Sequence, residues 1–197
     1  MLLLLPVTLA ACTAAAGGSD GVVRPRLSIT GATAADYYPL SDGWKWEYLV
    51  WKDGRKTRVR YAVLERKGDV ATVQEGDEQV TYVLTSEGIA EKDGDRLGDY
   101  IIKNPVAVGA EWPVAGGRAR IASVSARYED PRVGRYEGCV LLAVMRTNPT
   151  RVTQTWFAPY LGPVQIAIQA QDGEQFLTIA QATLVGFTRP GAVPATP

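Results

Sequence analysis

Residues 44–66 read WKWEYLVWKDGRKTRVRYAVLER, and the alternation in this stretch decides the fold class. Trp44, Trp46, Tyr48 and Val50 fall on one face of an extended chain, with Lys45 and Glu47 on the other. Asp53-Gly54 supplies the positive-φ dipeptide of a tight hairpin. The chain then alternates again, with Val59, Tyr61 and Val63 opposed to Arg58 and Arg60. This is the pattern of an antiparallel hairpin with one face packed and the other in water.

The same grammar extends outward in both directions. Turn signals at Gly68-Asp69, Gly76-Asp77, Glu87-Gly88 and Asp93-Gly94 frame short strands near 70–75, 79–85, 89–92 and 96–103. Asn104 to Pro113, with Pro105 and Gly109, reads as a break between two halves of one sheet system. Further strands are expected near 118–128, 138–146, 151–158, 164–170 and 174–187. Cys139 to Met145 is apolar at both parities, as a central strand covered on both faces would be. Val164, Ile166 and Ile168 against Gln165 and Gln169 form a clear amphipathic strand. The short spacings leave no room for crossover helices, so the strands should form a meander. The expectation is an all-β domain over 36–188. It would be a strongly curved antiparallel meander sheet or incomplete β-barrel of about ten strands, with a β-sandwich as the alternative. The tail 189–197, with its prolines, reads as disordered.

Upstream, residues 1–11 (MLLLLPVTLAA) form an uncharged apolar run about half as long as the ~20 residues a membrane-crossing helix needs. The run ends in Leu9-Ala10-Ala11-Cys12, which resembles a bacterial lipobox: a branched apolar residue, two small residues, then cysteine. That resemblance implies a signal peptide at 1–11, removal of that peptide, and diacylglyceryl transfer to the sulfur of Cys12. The positively charged opening usual for a secretory signal is missing, since Leu2 follows Met1 directly. Residues 12–35 are rich in Gly, Ala, Ser and Thr, the composition of a flexible tether, which would let the domain stand about 25 to 30 Å from a bilayer. Thr13 is not the aspartate that retains lipoproteins at the inner membrane, so the expected location is the periplasmic side of the outer membrane.

Composition excludes several chemistries. The 197 residues carry no histidine, which removes Ser-His-Asp and Cys-His nucleophile activation and imidazole metal sites. Lysine plus arginine (21) equals aspartate plus glutamate (21), so no basic surplus points to nucleic acid. With two cysteines, Cys12 and Cys139, there is neither a disulfide framework nor a four-thiolate metal site.

Tyr38-Pro39-Leu40, Gly43, Trp46 and Tyr48, and later Trp156-Phe157-Ala158-Pro159, Gly162 and Val164, resemble the YPLxxG...WxY and W[YF]APxxGxV motifs of a family of uncharacterised bacterial envelope lipoproteins. A middle element, Val133-Gly134-Arg135-Tyr136-Glu137-Gly138-Cys139, resembles that family as well. The resemblance implies a curved antiparallel β fold, akin to the half-barrels of lipoprotein carriers, and no known activity. The sequence departs from it in having Tyr160-Leu161 where relatives often carry Gly-Val, and Gln165 where they often carry a basic residue.

Trp44, Trp46, Tyr48, Trp112 and Trp156 either line an apolar ligand cleft or anchor the core. In the core reading, Trp46 and Trp156 join the first and late strands across the interior. Cys139 lacks a neighbouring cation to activate it and reads as an inert buried thiol. Asp93, Asp95 and Asp99 have a loose calcium-like spacing but lack the closing glutamate. Glu75, Asp77 and Glu78 flank a turn and would be freely hydrated. No cofactor is expected, and no enzyme. The leading expectation is a non-catalytic lipoprotein that reaches the membrane through its lipid anchor and meets an envelope protein partner. The alternative is a carrier of an apolar ligand on the concave face.

Overall fold

The computed structural model describes residues 31–191. Cys12, the expected signal peptide, most of the expected tether and residues 192–197 lie outside the described residues. After a one-turn helix, α1 (Ala34–Tyr37), the chain is almost entirely strand. The strands are β1 (Lys45–Lys52), β2 (Arg55–Lys67), β3 (Val70–Glu75), β4 (Glu78–Thr85), β5 (Gly88–Asp93) and β6 (Arg96–Lys103). They continue with β7 (Glu111–Val114), β8 (Gly117–Asp130), β9 (Gly134–Thr147), β10 (Thr150–Ala158), β11 (Gly162–Asp172) and β12 (Gln175–Thr188).

All twelve belong to one antiparallel sheet, ordered β6-β5-β4-β3-β2-β1-β12-β11-β10-β9-β8-β7. Every strand pairs with its sequence neighbour except at the step from β6 to β7, and β12 returns to pair with β1. The curved meander is therefore a nearly closed barrel whose two edge strands are consecutive in the chain. Side chains bridge them where no ladder does. The Trp112 indole N–H donates to the Tyr100 carbonyl at 3.0 Å, and the Ala115 N–H lies 2.9 Å from both oxygens of the Asp99 carboxylate.

Twelve strands form where about ten were expected. The extra pairing comes mainly from β7, which lies inside the stretch read as a break. Pro113 argued against a strand there, but β7 is an edge strand paired only with β8, and an edge has room for a residue without an N–H. The end of the expected tether is also structured. Thr33 closes a capping box with Asp36 at the start of α1, and Ala34 is buried with its N–H on the Asn104 side-chain oxygen at 2.8 Å.

Chain direction sorts the connections into two ends. The tight turns at 53–54, 76–77, 94–95, 115–116, 148–149 and 173–174 gather at one end. The connections at 68–69, 86–87, 104–110, 131–133 and 159–161 lie at the other, together with α1. The core fills this second, plugged end.

Candidate functional site

Register defines the inner face of the sheet. Val50, Ala182, Ile166, Thr155, Leu142 and Ile121 sit side by side across β1, β12, β11, β10, β9 and β8. Trp46 and Tyr48 lie on the same face by the two-residue period of the strand.

At the plugged end that face is packed with aromatic rings. Tyr38 stands between Trp46 (5.8 Å between ring centroids), Tyr82 (5.7 Å) and Phe157 (6.2 Å), while Trp44 stacks on Trp46 at 5.5 Å. Three polar side-chain atoms here find backbone partners, as burial requires. The Trp46 indole donates to the Leu161 carbonyl at 2.6 Å, the Tyr48 hydroxyl to the Pro163 carbonyl at 2.8 Å, and the Tyr37 hydroxyl to the Gly138 carbonyl at 3.2 Å. The two motif stretches, 38–48 and 156–164, therefore meet in space. Gly162 is needed at that junction: its φ is +105°, and a Cβ would stand 3.3 Å from the Trp46 indole nitrogen. Burial raises the hydroxyl pKa of Tyr38 and Tyr48 well above the ordinary value.

Trp44, Trp46, Tyr48 and Trp112 are all buried in this core. Trp156 is not their counterpart across the interior. It pairs with Leu141 and Gln165, and the row continues through Thr183 to Leu49 on the outer face. The inward residue is the next one, Phe157, with 1% of its surface exposed. A one-residue offset in a strand exchanges the faces, so Phe157 fills the interior while Trp156 packs against the core only as a partly buried ring.

Toward the turn end the inner face is only half covered. Val50, Val59, Tyr61, Val80, Ile166 and Ile168 keep partial exposure. The expected alternation of β11 places Ile166 and Ile168 inward, but neither is sealed.

Among these residues sits Glu75, contrary to the expectation of a freely hydrated turn residue. It pairs with Tyr61 and Glu78, and its carboxylate accepts a 2.5 Å hydrogen bond from the Tyr82 hydroxyl. Burial raises the Glu75 carboxyl above its usual value, against the lowering effect of the Tyr82 bond. Burial also pushes the Tyr61 hydroxyl up to about 12. The pair was hidden from sequence reasoning because Glu75 and Tyr82 stand on different strands. Their contact depends on how far the tyrosine reaches across the curved sheet.

The other candidates separate. Cys139 is fully buried and burial pushes its thiol up to about 12, so it carries little thiolate at neutral pH. Asp99 belongs to the β6–β7 bridge, whereas Asp93 and Asp95 lie by the β5–β6 turn. Among the described residues no group of three or more His, Cys, Asp or Glu side chains is placed to hold a metal ion.

No protein-family profile and no curated protein sequence matches the chain. Solved structures do. A Bacteroides fragilis protein assigned as exported, with a YmcC-like fold, superposes with a TM-score of 0.50 at 14% identity, covering 78% of this chain and 99% of that one. A Parabacteroides distasonis protein assigned as a lipoprotein gives a TM-score of 0.43 at 10% identity, covering 77% and 98%. The first places the fold with the YmcC-like proteins.

Proposed function

We propose that the protein is a lipid-anchored envelope lipoprotein, held at the periplasmic side of the outer membrane through Cys12, that works without catalysis as an interaction or assembly component. One observation carries the reading: Leu9-Ala10-Ala11-Cys12, followed by a small-residue stretch that leads directly into a folded barrel at Thr33. The fold shared with a Bacteroides fragilis protein assigned as exported agrees with an envelope location. Membrane fractionation of wild type and Cys12→Ala tests it, with mass spectrometry of the N-terminal peptide. Wild type should sediment with outer membranes carrying an acylated Cys12. The variant should move to the soluble fraction, because stable anchoring takes two or more lipid chains. An unmodified Cys12 in membrane-derived protein would overturn the proposal.

A second reading is favoured by the half-covered inner face at the turn end. There Val50, Val59, Ile166 and Ile168 form a partly exposed apolar wall on the inner face. In this reading the barrel holds an alkyl chain between that wall and the aromatic plug. Laurate quenching of tryptophan emission is the direct measurement.

A further inference from the structure

We propose that the seam between β6 and β7 is a side door into the barrel, hinged at the plugged end and latched at the turn end by Asp99. The proposal rests on the second reading above, in which the interior takes an alkyl chain.

Every other neighbouring pair of strands is joined by a backbone ladder, and this one is joined by side chains alone. The edges are also built so that they do not zip together. β7 is four residues long and carries Pro113, which has no N–H to offer.

The two jambs are each fixed to their own half of the sheet. β6 stays with β5, and the Asn104 side chain that follows it bonds the Ser86 carbonyl and the Ala34 N–H. β7 stays with β8, and just before it the Gly109 N–H donates to the Ile121 carbonyl while the Ala110 carbonyl accepts from the Ile121 N–H. Between these anchors the chain crosses the gap once, through Pro105 to Val108, at the plugged end. Parting the seam therefore breaks no ladder. It costs the exposed bonds from Ala115 to Asp99 and the half-buried bond from Trp112 to Tyr100. What lies behind is apolar: Trp112, Ile102, Ile121 and Ala119 are all buried there. A door opening from the turn end admits a chain sideways while its polar head stays in water.

The test is a double variant, Asp99→Cys with Ala115→Cys, which replaces the latch with a disulfide when oxidised and leaves no latch when reduced. Circular dichroism first establishes that both forms keep the fold. Two measurements follow: hydrogen exchange over 110–117, and the rate of tryptophan quenching by laurate. In wild type the Ala115 amide should exchange by local opening, and Asp99→Ala should speed that exchange on the order of tenfold while β9–β10 amides are unchanged. The reduced double variant should take up laurate roughly tenfold faster than the oxidised one. Equal uptake by the two forms, or exchange at Ala115 as slow as in β9–β10 and unmoved by Asp99→Ala, would overturn the door. Absence of any laurate quenching in every form would instead overturn the alkyl-chain reading, and the exchange data would still decide whether the seam opens.

Discussion

Trp46 shows how much one side chain does here. It is buried, stacked on Trp44, in contact with Tyr38, and bonded to the carbonyl that precedes Gly162. Replacement by alanine should cost about 3 to 5 kcal/mol in urea unfolding, a large part of a typical domain stability. Trp46→Phe keeps much of the volume but strands the buried Leu161 carbonyl, and should cost about 1 to 3 kcal/mol. Trp156→Ala, on the outer face and partly exposed, should cost clearly less than Trp46→Ala. Equal losses would mean the face assignment is wrong. Glu75 makes a second prediction at this scale. Its folded pKa lies above the unfolded value near 4.5, so the native state holds a proton at pH values where the unfolded chain has released it. The half-buried charge thus penalises the fold above the folded pKa, and the penalty fades as pH falls toward 4.5. Glu75→Gln, which can still accept the Tyr82 bond, should be more stable than wild type at pH 7, with the gap narrowing as the pH is lowered to 4.5. A gap that stays constant across that range would show that the carboxyl is not perturbed by burial.

At the scale of elements, the β10–β11 connection is the informative one. Tyr160 has φ +55°, a left-handed conformation that costs a residue with a side chain about 1 to 2 kcal/mol. Its N–H donates to the Asp36 carbonyl at 2.6 Å, tying this turn to α1, while the residue keeps 44% of its surface exposed. A residue with a side chain can be carried in this left-handed position because the turn is held by tertiary contacts. Tyr160→Gly should leave stability within about 1 kcal/mol of wild type or raise it. Gly162→Ala, two residues on, should be strongly destabilising, because its left-handed φ and the indole of Trp46 both oppose a Cβ. Thermal melts of the two variants check the contrast. The hairpins themselves were legible, since Asp53, Gly54, Gly76 and Gly94 all take positive φ at the expected places. The strand β7 was not, because four residues containing a proline become a strand only where a neighbouring edge accepts them.

For the whole molecule, the pairing of β1 with β12 matters most, since it joins the two arms of the meander into one sheet with one core. The arms should not unfold separately. Tryptophan emission, dominated by the plugged end, and far-ultraviolet circular dichroism should give coincident urea transitions. Two separated transitions would show that β1–β12 is a boundary between domains. The sequence alone determined the class: period-two alternation in 44–66, turn dipeptides at short intervals and the want of helical spacing dictate an antiparallel meander, because these are local properties of a strand with one wet face. Leu9-Ala10-Ala11-Cys12, on which the proposed anchoring rests, is equally local, a contiguous stretch of four residues. The tertiary structure decided what depends on curvature and closure. It set which of Trp156 and Phe157 faces inward and brought 38–48 onto 156–164. It also half-buried Glu75 beside Tyr82 and left β6 and β7 as facing edges bridged by Asp99. Such outcomes follow from the accumulated twist, bulges and return of twelve strands, which no short stretch encodes.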